Sequence, residues 1–300
     1  MSYISLKRGT FSVKALCRTL GVTEAGYYKH LRKPYTPSKT TLLLAQIYDC
    51  LKEDPENSNY GVRRIYDYLR IYNNYEGSLR TIYRICRENN LIIRRKSHPN
   101  GITKADGEAQ KSDNLIKQDF TAEAPNAKWL TDITEVPCFD GKLYLAAILD
   151  CYDGTIVGYH MDDNMRASLC TRAFKNACYT YSASGMILHS DRGSQFTSTA
   201  FRTALAAKGA IQSMSSVGRC YDNARMESFF ATLKKEKLYR IDTMKMTQEM
   251  VKTIIFRYIQ YYNHRRIYST NDGLPPLSKR ALYHCTVAAY FSLPMGLNFY

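Results

Sequence analysis

Three apolar, strand-like runs follow one another before any helix-like segment intervenes, and from there strand and helix alternate. The runs cover residues 129–137, 142–149 and 155–160, and Asp153-Gly154 between the last two is a hairpin-turn signal. A helix-like segment at 168–181, a short apolar run at 186–189, a second helix-like segment at 198–208 and a brief run at 210–213 complete the series. Neighbouring antiparallel strands first, then strand–helix alternation, predict a mixed five-stranded sheet covered by helices, an α/β architecture.

Three carboxylates stand where this pattern ends or breaks. Asp132 lies inside the first run, within Trp129-Leu130-Thr131-Asp132-Ile133-Thr134. Asp191 follows the fourth run and precedes the turn Arg192-Gly193-Ser194. Glu227 falls in a helix-like segment, 223–237, in which Met226, Phe229, Phe230 and Leu233 recur at the spacing of a buried face. At about 100° per residue, Asn223, Glu227 and Lys234 project along one border of that face. Taken alone, Glu227 reads as a surface acid paired with a nearby base for little energy. Clustered acids, however, repel unless something positive neutralises them, and a hard divalent cation with oxygen ligands is the usual solution.

The chain around these acids is basic, with a formal net charge of +15, which favours a polyanionic partner. Residues 1–100 carry 18 Lys+Arg against 8 Asp+Glu, and residues 101–300 carry 24 against 19, so the excess leans to the N-terminal third. There, residues 11–33 read as two short helices about Gly21, capped by Ser12 and Thr23. Helix-turn-helix and plain helical hairpin fit that spacing equally. Further helices are expected at 42–51, 60–69 and 78–90. The last carries Arg80, Arg84 and Arg87 as a stripe, which favours phosphate or groove contact over a merely solvated face. Residues 95–127 hold few large apolar side chains, so a linker is expected, with a boundary near residue 120. Nine scattered cysteines, odd in number and without a CxxC pair, argue against a disulfide framework or zinc finger and for small buried side chains in a reducing cytosol. No apolar run reaches about 18 residues, so no membrane span is expected and the chain is placed in the cytoplasm.

Taken together, three segments resemble the acidic motif of transposases with a retroviral-integrase-type core. They are Trp129 to Thr134; His189-Ser190-Asp191-Arg192-Gly193-Ser194-Gln195-Phe196; and the stretch from Gly218 through Asn223-Ala224-Arg225-Met226-Glu227-Ser228 to Phe230. The resemblance is strongest to the second-reading-frame transposases of bacterial insertion sequence family three, and it covers nearly the whole chain. Lys234 matches the lysine that often completes the motif. Tyr60-Gly61-Val62-Arg63-Arg64-Ile65 is similar to the family's helix-turn-helix region. Where family members often carry Ser-Arg after the second strand, this chain has Tyr152-Asp153.

The resemblance implies a ribonuclease-H-like mixed five-stranded sheet flanked by helices, preceded by an all-α helix-turn-helix region. The division it implies is a DNA-binding region at 1–94, a linker at 95–122, the catalytic core with its C-terminal helix at 123–285 and a tail at 286–300. Asp132, Asp191 and Glu227 are expected to be catalytic and to bind two Mg²⁺ ions, with Mn²⁺ able to substitute. The expected reaction frees a 3′-hydroxyl at an element end and joins that strand to a new phosphodiester by in-line displacement. Lys234, Asn223 and His189 are expected to position phosphate, as are Arg265 or Arg266 at the end of the Tyr258–Arg266 tract, where Tyr258 and Tyr262 pack inward. Arg63, Arg64, Arg80, Arg84 and Arg87 are the expected N-terminal DNA contacts. Partners follow: double-stranded DNA as terminal inverted repeats and as target, other copies of the chain on that DNA, an upstream-frame protein or fusion, and no membrane. Nucleoid association in a bacterial cytoplasm goes with them. Asp150 is expected to be structural.

Overall fold

The computed structural model describes residues 2–32, 37–93, 113–215 and 223–292. The chain divides into two compact units, Met1–Tyr48 and Asp49–Tyr300. Helices α1 (Ser2–Lys7), α2 (Val13–Thr19) and α3 (Glu24–Arg32) lie in the first, and α4 (Lys39–Lys52) runs from its end into the second. Ser12 caps α2 by accepting the Ala15 N–H at 3.3 Å, and Gly21 makes the turn at φ +63°. Ile4, Cys17 and Tyr27 form the small core beneath. The α1 helix has no counterpart among the expected elements.

In the second unit, α5 (Val62–Tyr72) and α6 (Leu79–Glu88) form a helical pair, with Ser78 capping α6 as its sequence position implies. Most of the expected linker, 95–112, lies outside the described residues. Strands β1 (Lys128–Cys138), β2 (Gly141–Asp150) and β3 (Ile156–Asp162) follow, then α7 (Ala167–Thr180), β4 (Ile187–Ser190), α8 (Ser194–Thr197), α9 (Thr199–Ala206) and β5 (Ile211–Met214). The sheet order is β3-β2-β1-β4-β5, with β1–β2–β3 antiparallel and β1–β4–β5 parallel. This is the expected ribonuclease-H-like mixed sheet of five strands. Burial explains its centre: β1 is covered at Trp129, Leu130 and Thr131, then alternates buried and exposed toward Cys138. The change falls where β4 stops pairing, after Leu130, and Pro137 sits where no ladder bond on that side is lost.

The main core gathers Trp129, Ile148, Leu169, Phe174, Phe196, Phe201 and their neighbours between the sheet, α7 and α9. Gly158 is required there, because a Cβ would lie 2.6 Å from the Ala173 carbonyl oxygen of α7. Helices α10 (Ala224–Glu236), α11 (Gln248–His264) and α12 (Pro276–Ser292) close the chain. The Asn263 side-chain amide accepts the Ile156 N–H at 2.9 Å and donates to the Ile156 carbonyl at 3.0 Å, standing in for a strand partner on β3. Among the described residues no helix is long and apolar enough to cross a membrane. Of the eight described cysteines, six are buried and none is bonded to another.

Candidate active site

The sheet register brings two of the acids together. Parallel pairing of β1 with β4 ends at Leu130 opposite His189. Two residues beyond that last pair, Asp132 and Asp191 stand at the same level of the two neighbouring chain segments. The Asp132 carboxylate accepts its neighbour's Ile133 N–H at 2.8 Å, and Asp191 accepts the Gly193 N–H at 2.9 Å where the chain turns into α8.

The third acid is placed by the anchoring of α10. Asn223 at its start donates to the Thr131 carbonyl of β1 at 3.1 Å. Arg225 donates to the Phe120 carbonyl at 2.8 Å and to the Cys151 carbonyl beyond β2. Met226, Phe229, Phe230 and Leu233 are buried, the face read from the sequence. Glu227, one turn past Asn223, is exposed, and Lys234 is half-buried.

The electrostatics show that the three acids share one neighbourhood. The Asp132 carboxyl is pushed up to about 7, first by burial and then by the charge of Asp191, with Glu227 adding to it. The Ile133 N–H and the Lys234 ammonium oppose that rise. Surrounding protein that displaces part of their water also raises Asp191, against the pull of the Gly193 N–H, and Glu227, although both side chains keep an exposed edge. Among the described residues no three His, Cys, Asp or Glu side chains converge tightly enough to hold one metal ion as they stand. The donor set nonetheless suits a hard cation. It is oxygen-only and mutually repelling, Asp191 and Glu227 are exposed and can turn, and the buried Asn223 Oδ1 lacks a partner among the described residues.

Other expected contacts lie elsewhere. His189 is fully buried, its ring nitrogens hydrogen-bonded to the Ser213 and Ser215 hydroxyls at 2.8 and 3.1 Å. It ties β4 to β5 and, at 0% exposure, has no surface to offer a phosphate directly. Arg266 is buried, with Nε and Nη2 on Glu236 at 2.9 and 3.0 Å, and Arg64 gives Nη1 to the same carboxylate at 2.8 Å. Arg265 is exposed but pairs with Asp54 at 3.2 Å. Arg63 is exposed and pairs with the buried Asp67. Arg80, Arg84 and Arg87 are all exposed, with Arg84 reaching Glu88 at 3.1 Å. Residues 218–222 of the third motif segment lie outside the described residues. Asp150 is buried and saturated by the Asn126 and Tyr152 N–H groups, the Trp129 indole and Arg280, which is a structural role.

Glu236 was missed by the sequence reasoning, although it continues the buried face one step past Leu233. Its partners Arg64, Tyr258 and Arg266 stand on other elements, so no local spacing marks it. Burial favours its neutral form, but the hydrogen bonds and charge of Arg266, with Arg64 and Tyr258, outweigh that and hold it down to about 2.

The chain is similar to known families over most of its length. The description "Integrase core domain" matches residues 122–220 and, in a second form, residues 208–276, and "HTH-like domain" matches residues 40–98. The transposase InsF for insertion sequence IS3A of Escherichia coli (strain K12) is 31% identical over 283 residues, 92% of this chain and 97% of that protein. An uncharacterized transposase-like protein of Haemophilus influenzae is 42% identical over 171 residues, 56% of this chain and 77% of that protein. An uncharacterized 31 kDa protein of insertion element IS600 from Shigella sonnei is 32% identical over 273 residues, 90% of this chain and 98% of that protein.

Proposed function

Because this chain belongs to the IS3 family of insertion-sequence transposases, built on an integrase core, we propose that it cuts DNA at its element's ends and joins the freed strand to a new site. The observation that carries the reading is the single neighbourhood of Asp132, Asp191 and Glu227, in which each acid is held above its ordinary range. Acids left repelling one another inside a basic chain suit divalent cations that would neutralise them and supply charge to a phosphate.

In this reading Asp132, Asp191 and Glu227 hold two Mg²⁺ ions, or Mn²⁺. When bound, these activate the attacking oxygen and stabilise the leaving oxygen of an in-line displacement. Asp132 is the rigid member, fixed in the central strand, and Asp191 and Glu227 close from either side. Lys234, already within electrostatic reach of Asp132, steadies the negative phosphate. Asn223 fixes the start of α10 against β1 and so sets the depth of Glu227. Water is the first nucleophile and the freed 3′-hydroxyl the second, so no covalent enzyme intermediate is needed.

Residues 1–94 then act as the DNA-binding region, with exposed Arg63, Arg80, Arg84 and Arg87 on phosphates or groove edges. Residues 95–122 serve as linker, 123–285 as the catalytic core and 286–300 as a tail. Two element ends must be held at once, which calls for more than one copy on DNA, and an upstream-frame protein or fusion completes the assembly. The protein acts in the cytoplasm, on the nucleoid.

The test is a labelled duplex carrying an element end, incubated with the full chain and Mg²⁺. Cleavage followed by joining to a second duplex supports the reading. Hydrolysis without joining makes the protein a nuclease, and no chemistry in Mg²⁺ or Mn²⁺ ends the proposal.

A further inference from the structure

A cleft of about 290 Å³ opens beside α10, lined by Arg64, Ser228, Thr232, Arg266, Ser269 and Thr270 among others. Two guanidiniums meet there on one carboxylate, Glu236, so the cluster carries an excess of one positive charge. The hydrogen bonds among the described residues use Nη1 of Arg64 and Nε and Nη2 of Arg266. The other N–H groups of both forks remain for a ligand, and four hydroxyls stand on the same walls. Of the other nearby acids, Asp67 is bound by Arg63 and accepts from Ser269 at 3.4 Å, and Glu227 precedes Ser228 on α10. Each arginine also lies over an aromatic ring, Arg64 over Tyr60 and Arg266 over Tyr262, which fixes the planes of the forks.

A ligand with one negative charge and several acceptor oxygens answers this arrangement, and a phosphodiester is that group. We propose that the cleft seats one backbone phosphate of the DNA being processed. Ser228 on its wall directly follows Glu227, so a phosphate held here sets the strand's position relative to the third acid. The inference rests on the transposase reading and adds to it a specific seat. It also gives Arg64 and Arg266 a contact with DNA made from within the protein, through the donors that Glu236 does not use.

The experiment is a fluorescence-anisotropy titration of the full chain with a labelled random-sequence duplex, without divalent metal, across a salt series. Losing one phosphate contact makes the slope of log Kobs against log salt shallower by about 0.9. Arg64→Gln is expected to do so. Ser228→Asp is expected to do the same while leaving the Glu236 ion pairs intact, so it decides the matter if Arg64→Gln does not fold. Met244→Asp, a comparable charge change at a side chain 56% exposed and away from the cleft, is expected to keep the wild-type slope. A wild-type slope for Ser228→Asp overturns the seat, as does an equal change in Met244→Asp. Failure of the wild-type chain to cleave an element end would instead sink the transposase reading, whatever the slopes.

Discussion

Two groups of buried or crowded carboxylates lie within one fold and meet different partners. Glu236 is enclosed by Arg64, Arg266 and Tyr258 and held down to about 2. Asp150 and Asp153 share Arg280 at 2.6 and 2.7 Å, and that guanidinium opposes the rise that burial gives Asp150. Asp132, in contrast, meets burial and two like charges and is pushed up to about 7, with Lys234 as its cationic relief. The difference separates acids that serve the architecture from acids that serve chemistry. The fold supplies cations to the first and leaves the second to something it binds.

The sharpest way to break this comparison is to neutralise one acid of each kind. Asp132→Asn, Asp191→Asn and Glu227→Gln are each expected to reduce end cleavage and joining to background. Their melting temperatures should stay level or rise, because a repulsion is removed. A triad variant that keeps near-normal rates contradicts the assignment. Arg266→Ala should do the reverse to stability: it leaves Glu236 buried with its main partner gone, at a cost of about 3–5 kcal/mol in denaturant unfolding. A loss under about 1 kcal/mol would show that the enclosure of Glu236 is not structural.

The sequence carried the sheet well, because its signals are local. Short apolar runs, the Ser78 cap and the α10 stripe each lie within a few residues of what they determine. Asp132, Asp191 and Glu227 were legible for another reason: each sits in a recognisable motif segment. The rest depended on distant partners. His189 looked like a phosphate contact because it neighbours Asp191, yet the register of β4 with β5 turns it onto Ser213 and Ser215. Arg266 looked like a basic helix end, but Glu236, 30 positions earlier, claims it. Asn263 stood within the Tyr258–Arg266 tract, but nothing local marked its partner, an edge strand 107 residues away.

The acid limb of stability offers a finer test. Glu236 is depressed in the folded chain from an ordinary value of 4.5, so its contribution is complete above about 4.5 and is lost as pH falls toward about 2. That contribution is roughly 3 kcal/mol. Unfolding free energy measured from pH 5 to pH 2 should fall in the wild type and fall less steeply in Glu236→Gln. Equal slopes would remove Glu236 from the account. The smallest effect expected is at the Ser78 cap, where Ser78→Ala should cost about 1 kcal/mol and leave DNA chemistry unchanged.

The central claim is that folding gathers Asp132, Asp191 and Glu227 to hold divalent cations. Crystals of the full chain soaked in Mn²⁺ and measured for anomalous scattering test it directly. Peaks lying among these three carboxylates are the expected result. Manganese bound only elsewhere, with nothing between Asp132 and Asp191, would contradict it.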